Sequence, residues 1–223
     1  MQQSIWQGIK LICRKELRVG MRFKAAWSAM FMFALTTLAC VSMAMQGGTA
    51  EPRLLAALLW VILFFASMAG ADRVFADEDT AGTLLTLQVY GQAQAVLLGK
   101  MLYTFFLIGV LTVFITPLFL IMMDVTVADP WKLAMTLLFG CWGIAAAGTM
   151  IASLTTGASV HSGLFSILML PVILPVFLPA IALTAGAFGS GEGSLSYLGS
   201  MGLYDLILTV GTSVLFDYLW YED

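Results

Sequence analysis

The chain has 223 residues, of which 61% are hydrophobic and only 10% charged, with a formal net charge of −3. Soluble domains carry about 25% charged residues, so an ordinary water-soluble domain is excluded. The net charge says nothing useful about nucleic acid, because the basic residues cluster for another reason.

Residues 4–18 predict an amphipathic helix. Ile5, Trp6, Ile9, Ile12, Cys13 and Leu17 share one side and Lys10, Arg14, Lys15 and Arg18 gather opposite, with Leu11 and Glu16 as exceptions. A helix of this kind lies at a membrane surface with its cations toward the lipid headgroups. A secretory signal fits less well, because the apolar run Ala25–Met45 exceeds a signal core of about 7–15 residues.

Charge-free stretches then recur, between Lys24 and Glu51, Arg53 and Asp72, Lys100 and Asp124, and Lys132 and Glu192, the last long enough for two spans. A membrane span needs about 20 mainly apolar residues. Six are predicted, over about 25–45, 54–71, 96–123, 133–153, 163–188 and 197–220, which makes the chain an all-α integral membrane protein with one transmembrane domain, 1–223. Turns separate the spans: Gly47, Gly48 and Pro52 in the first, Pro130 and Trp131 at the interface in the third, His161 in a polar turn over 154–162, and a Gly/Ser-rich loop over 189–196. Tyr218, Trp220 and Tyr221 anchor the end of the sixth span.

Two spans carry special features. In the fourth, Gly143 with Ala147 and Gly148 with Ala152 make small-xxx-small pairs that permit close helix contact. In the fifth, Pro171, Pro175 and Pro179 each remove a backbone donor. That span is expected to be kinked, or to break into a span plus a re-entrant or surface piece. Pro117 predicts a kink near the end of the third.

Lys10, Arg14, Lys15, Arg18, Arg22, Lys24, Arg73 and Lys100 are eight of the ten basic residues, and all fall on one side if the spans alternate. Basic residues mark the cytoplasmic side, so both termini are expected there, with Arg53 and Lys132 outside.

The loop after the second span organises the rest. Asp72, Asp77, Glu78 and Asp79 are four of the chain's thirteen carboxylates. On a helical wheel Asp79, Gly82, Thr83, Thr86 and Tyr90 share one face, while Ala81, Leu84, Leu85, Leu87 and Val89 cover the remainder. Acids suit the positive end of a helix; Gly91 ends the run and Lys100 marks the water boundary before the next span. The expectation is a coupling helix within 72–95 that lies along the membrane surface. It would dock a soluble partner through Asp77, Glu78, Asp79, Gly82, Thr83, Leu84 and Thr86. An ordinary solvated acidic loop is the alternative.

The run RVFADEDTAGTLLTLQVYGQAQAVLLGK, with its acid, acid, Gly-Thr-Leu core, resembles the first cytoplasmic loop of ABC exporter permeases, and of one family in particular: heme exporter protein B (CcmB), the permease subunit of the cytochrome c maturation system. Length, span number, an early RKELR and the Pro-rich fifth span extend the resemblance over essentially the whole chain. It implies a non-catalytic subunit in the bacterial inner membrane that binds no cofactor itself, with heme as a candidate cargo of the complex. It also implies partners: a cytoplasmic ABC ATPase subunit that binds ATP, a heme-handling membrane subunit, a further small membrane subunit and a periplasmic heme chaperone, all beside membrane lipids.

The residues themselves carry little chemistry. No G-x-x-x-x-G-K-[ST] occurs, and Gly99-Lys100 lacks the earlier glycine, so ATP would have to be bound elsewhere. One histidine, His161, cannot supply bis-His heme ligation, and the fourteen methionines read as packing or lipid-facing residues. Cys13, Cys40 and Cys141 have neither metal-ligand spacing nor a disulfide pattern. Asp205 stands apart, a carboxylate inside the sixth span with no Lys or Arg in any span to pair with. Such a residue either lines a path or contacts a partner, or is a structural group hydrogen-bonded to Tyr204, Thr209 or another helix. Three rival readings share parts of this pattern: a permease for another ABC exporter cargo (polysaccharide, lipid or drug), an ion-coupled carrier built on Asp205, and a non-transporting scaffold.

Overall fold

The computed structural model describes residues 5–22, 24–45, 50–80, 82–83, 87, 91–155 and 161–221. Its helices are α1 (Ile5–Arg22), α2 (Ala25–Met45), α3 (Pro52–Ala71), α4 (Arg73–Thr80), α5 (Ala93–Met122), α6 (Pro130–Thr155), α7 (His161–Ala185), which continues as a π-helical turn (Gly186–Ser190), and α8 (Ser196–Tyr221). Six of them, α2, α3 and α5 to α8, are long and apolar enough to cross a membrane.

These six alternate in direction, and polar contacts at both ends fix the alternation. At the end that carries α1 and α4, Gln94 Nε2 at the start of α5 donates to Asp217 Oδ2 near the end of α8 at 3.0 Å. At the far end, Ser42 Oγ of α2 donates to the Met122 carbonyl at 3.3 Å, and Ala128 N donates to the Ala187 carbonyl at 2.8 Å. Arg53 and Glu192 also pair across the far end at 3.7 Å.

Helix α6 is the spine of the bundle, packed against α3, α5, α7 and α8. Its small residues make this possible. Gly140, Gly143, Ala145, Ala146, Ala147, Gly148 and Ala152 are all buried, so neighbouring backbones approach closely where van der Waals contact must replace a hydrophobic driving force. Gly140 accepts the outer edge of the fully buried Trp60 ring, whose Nε1 donates to Thr184 Oγ1 of α7 at 2.9 Å. Gly148 lies where a Cβ would stand 3.0 Å from that of Ala71. The outward faces keep large apolar side chains exposed, among them Met32, Val113, Ile167, Leu178, Leu206 and Val214, as surfaces in contact with hydrocarbon require.

The fifth span does not break at its prolines. Helix α7 runs unbroken through Pro171, Pro175 and Pro179. Its buried stripe is Phe165, Met169, Ile173, Val176, Ala180 and Leu183, which has the helical period. The prolines fall outside that stripe, Pro171 and Pro175 exposed and Pro179 half-buried. Packing of the stripe against α3, α6 and α8 holds the helix together despite the missing donors. Irregularity comes afterwards, at the π turn, where Gly189 has φ 97° and Gly191 φ 75°. Pro117 likewise sits within the continuous α5.

The packing at Gly140 predicts a sharp asymmetry between two glycines. Gly140→Val should destabilise the detergent-solubilised protein by about 1–3 kcal/mol, because its methyl groups overlap the Trp60 ring. Gly211→Ala, on the exposed side of α8 with open space around it, should stay within about 0.5 kcal/mol of the parent. Thermal unfolding of the two variants checks this.

Candidate functional site

Helix α5 has 30 residues, which at about 1.5 Å per residue is ~45 Å, well beyond the ~30 Å of a hydrocarbon core. The surplus stands at the end that carries α1 and α4, and there Ala93, Ala95, Val96, Leu97, Gly99, Lys100 and Met101 are buried almost all round. What covers them is α1 and neighbouring elements. Gly8 of α1 meets Ala95, Ile12 meets Gly99 and Gly20 meets the Tyr103 side chain, contacts that follow in the same order on both helices, so α1 runs in the same direction as the first turns of α5. Helix α1 is therefore fastened to a span as well as presenting Lys10, Arg14, Arg18 and Arg22 outward.

Between these contacts lies a buried charge network. Lys100 is 0% exposed. Its Nζ stands 3.0 Å from Glu16 Oε1 of α1 and 2.8 Å from Glu78 Oε2 of α4. The same ammonium donates to the Val74 carbonyl and lies 4.7 Å from the centroid of the Phe75 ring. Lys15 closes the set, contacting Glu16 Oε1 at 3.2 Å and Glu78 Oε1 as well. Two cations and two anions thus neutralise each other where Glu16 is 9% and Glu78 7% exposed. A buried ammonium is tolerated only with such pairing and hydrogen bonding.

The charges act on one another. Burial alone would raise the Glu78 carboxyl; the charge and contact of Lys100, then of Lys15, outweigh it and hold Glu78 below its ordinary value of 4.5. Burial alone would lower Lys15; its hydrogen bond to Glu78 and the charges of Glu16 and Glu78 hold it above its ordinary 10.5. The stability Glu78 contributes is therefore present above its ordinary value and lost as pH falls through the depressed one. That of Lys15 is present below its ordinary value and lost as pH rises through the raised one.

Helix α4 ends in a defined cap. Gly82 has φ 65°, and Thr83 N donates to the Glu78 carbonyl at 3.0 Å, the longer of the two hydrogen bonds of a Schellman motif with glycine at C′. Thr83 Oγ1 also reaches the Glu78 carbonyl, at 3.3 Å. Helical geometry resumes through Leu87, whose N–H donates to the Thr83 carbonyl at 3.1 Å, and Gly91 N to the Leu87 carbonyl at 2.8 Å. A single helical face joining Asp79, Gly82 and Thr83 is therefore corrected: the left-handed Gly82 interrupts it.

Among the residues expected to meet a partner, Gly82 and Thr83 are exposed. Glu78 is turned inward to Lys100 and Lys15. Asp77 and Asp79 belong to α4 but their side chains lie outside the described residues, as do Leu84 and Thr86 altogether, and the side chain of His161. Lys100 is a buried hub rather than a marker of the water boundary. Sequence reasoning missed its partner Glu16, although a lone acid among the bases of α1 was the available signal.

Asp205 sits apart from this cluster, 3% exposed, against Gly143 of α6 and near Val176 of α7. Its Oδ1 stands 2.7 Å from where a Gly143 Cβ would be. The hydroxyls expected to serve it are engaged elsewhere: Thr209 Oγ1 donates to the backbone carbonyl of Asp205 at 2.7 Å and accepts from Trp142 Nε1 at 3.1 Å. Tyr204 donates to the Val172 carbonyl at 2.7 Å. Neither carboxylate oxygen has a hydrogen-bond partner among the described residues. Among those residues no three His, Cys, Asp or Glu side chains gather as a metal site.

Fold and site together define a multi-span α-helical membrane protein, with an amphipathic helix and an acidic helix locked onto one end of its bundle. The chain belongs to the CcmB protein family, whose profile matches residues 7–215, a range that includes Glu16, Glu78, Lys100 and Asp205. It is 25% identical to heme exporter protein B of Haemophilus influenzae over 197 residues, 85% of this chain and 88% of that protein.

Lys100→Met should leave two buried carboxylates facing one half-exposed lysine and cost about 3–5 kcal/mol. Lys100→Arg, which keeps the charge, should cost less. Glu78→Gln should flatten the loss of stability on the acid side that the parent shows. Unfolding temperature measured across pH for the three variants checks all of this, and a Lys100→Met protein as stable as the parent would contradict it.

Proposed function

We propose that this chain is the permease subunit of an ABC-type heme exporter that acts in cytochrome c biogenesis. The observation that carries the reading is the family match over residues 7–215, joined to a relative named heme exporter protein B over 85% of the chain. In this reading a cytoplasmic ATPase subunit binds and hydrolyses ATP, and the chain's own spans rearrange. A heme-handling membrane subunit, a further small membrane subunit and a periplasmic heme chaperone complete the complex, with heme delivered to that chaperone or the loaded chaperone released. The protein then lies in the bacterial inner membrane with both termini cytoplasmic, an orientation supported by the basic residues of α1 and by Arg73 and Lys100 at the same end of the bundle.

The docking surface for the ATPase is the acidic helix and the turn after it: Asp77, Asp79, Gly82, Thr83, Leu84 and Thr86, with Glu78 holding the helix in place from beneath. Support comes from the exposed, sharply capped turn at Gly82 and Thr83, seated directly on a charge-locked base. Charge reversal at Glu78 would break that base, so the test avoids Glu78. Thr83→Lys combined with Asp79→Lys should insert at normal level yet lose the ATPase subunit on purification and fail to mature c-type cytochromes, since like charges across an interface cost several kcal/mol. Gly82→Pro should do the same, because proline cannot adopt the positive φ. Normal retention of the ATPase by both variants would sink the docking assignment.

Inside the membrane, Asp205 is a polar group on the contact of α6, α7 and α8, and its oxygens, without a hydrogen-bond partner among the described residues, support a role in the path or in the rearrangement of these three helices. Asp205→Asn should retain cytochrome c maturation, whereas Asp205→Leu should impair it at equal abundance. An asparagine variant as defective as the leucine variant would point to a need for the carboxylate itself.

A further inference from the structure

Three facts about the charged end stand together. Helix α1 is joined to α5 by a ladder in which the rungs Gly8, Gly20 and Gly99 let the two helices approach closely, with Ile9 buried and Ile12 packed along the same seam. Its charged rung, Glu16 with Lys100, is also the point at which α4 is tied in, through Glu78 and the Val74 carbonyl. Helix α4 in turn packs on α3 and α6. One ammonium therefore receives ligands from two separate helices while belonging to a third.

We infer that the Lys100 network is a latch that makes α1, α4 and the first turns of α5 a single body, and that Glu16 and Lys100 are positioning residues for transport. Resting on the docking reading above, the inference assigns the route taken by a push on the acidic segment. The push passes through Glu78 to Lys100 and so into α5, with α1 carried along by Glu16. The N-terminal helix is thus a moving part of the permease rather than a passive float on the lipid surface. The physical reason is that a buried ammonium cannot be left behind by its carboxylates: separating the helices would strand unpaired charge at the membrane boundary. The apolar contacts of the seam can slide past one another without stranding a charge, so they set no comparable register.

A cysteine pair tests this directly. In a background with Cys13, Cys40 and Cys141 replaced by serine, Gly8→Cys with Ala95→Cys places two thiols on a rung whose Cβ positions are 3.0 Å apart, within a small outward shift of the roughly 3.5–4.5 Å of a disulfide. Oxidation in membranes should cross-link the pair rapidly, and the cross-linked permease should still support cytochrome c maturation, because the latch already holds these helices together. Adding Glu16→Ala should slow cross-linking at least fivefold. It should leave the ATPase subunit bound and hydrolysing ATP but lower maturation, and forming the disulfide in that variant should restore maturation. The inference is overturned if the disulfide abolishes maturation in the parent, since α1 would then have to slide on α5. It is equally overturned if Glu16→Ala cross-links and matures as the parent does, or if the disulfide fails to rescue it. The cross-linking rate reads the latch without reference to transport, and the parent arm needs no change at Glu16. A failure of the docking reading, seen as unaltered ATPase retention by the Thr83 and Gly82 variants, is thereby kept separate from a failure of the latch.

Discussion

Burial of one full positive charge constrains the whole charged end of this protein. Lys100 has no exposed surface, and an ammonium there is stable only while carboxylates and a carbonyl surround it. That single requirement fixes where α1 crosses α5, which side of α4 faces inward, and why the first turns of α5 can project beyond the membrane without becoming a free helix. The network has equal numbers of cations and anions, so it adds no net charge at the boundary. Its value lies in specificity of position more than in raw stability, since buried ion pairs of this sort gain little over apolar packing but are costly to break.

The membrane-embedded part of the bundle obeys a different rule. Within hydrocarbon no hydrophobic force brings helices together, and close contact through small residues takes its place. Helix α6 supplies them along most of its length. The consequence appears at Trp60, whose ring tip abuts Gly140 and whose Nε1 hydrogen-bonds Thr184, tying α3, α6 and α7 at one level. It appears again at Gly143, where the absent side chain makes room for Asp205. A polar group is thus admitted to the most tightly packed part of the membrane domain, at a junction of three helices.

The six spans were legible because a membrane span is a one-dimensional signal: a run of apolar residues of fixed length, bounded by charges. The pairing of helices was partly legible, in the glycines and alanines of α6. The charge network was not, because its members are 62 and 22 residues apart along the chain (78 − 16 and 100 − 78), and each alone has a bland explanation. Glu16 looked like an exception on a basic helix and Lys100 like a boundary marker. The prolines of α7 left the outcome open for a related reason. A missing donor says that a helix can break, but whether it does depends on what the opposite face is packed against, and that face is the buried stripe from Phe165 to Leu183. Gly82 was read as part of a helical face because a wheel assumes constant geometry. A glycine three residues after a run of acids and just before Thr83 is equally a cap, and the cap is what forms.

The cap matters to how the acidic segment can work. A helix that simply continued past Thr80 would present a long, uniform surface free to rock about its own axis. Instead α4 is eight residues long, pinned from beneath at Glu78 and closed above by the Thr83 hydrogen bonds to the same residue's carbonyl. Side chain and backbone of Glu78 are thus engaged in opposite duties, one toward Lys100 and one toward the exposed turn. Thr83 is thus tied by these hydrogen bonds directly to the residue whose side chain pairs with Lys100. A glutamate in this place therefore joins surface to core, which a solvated acidic loop could not do.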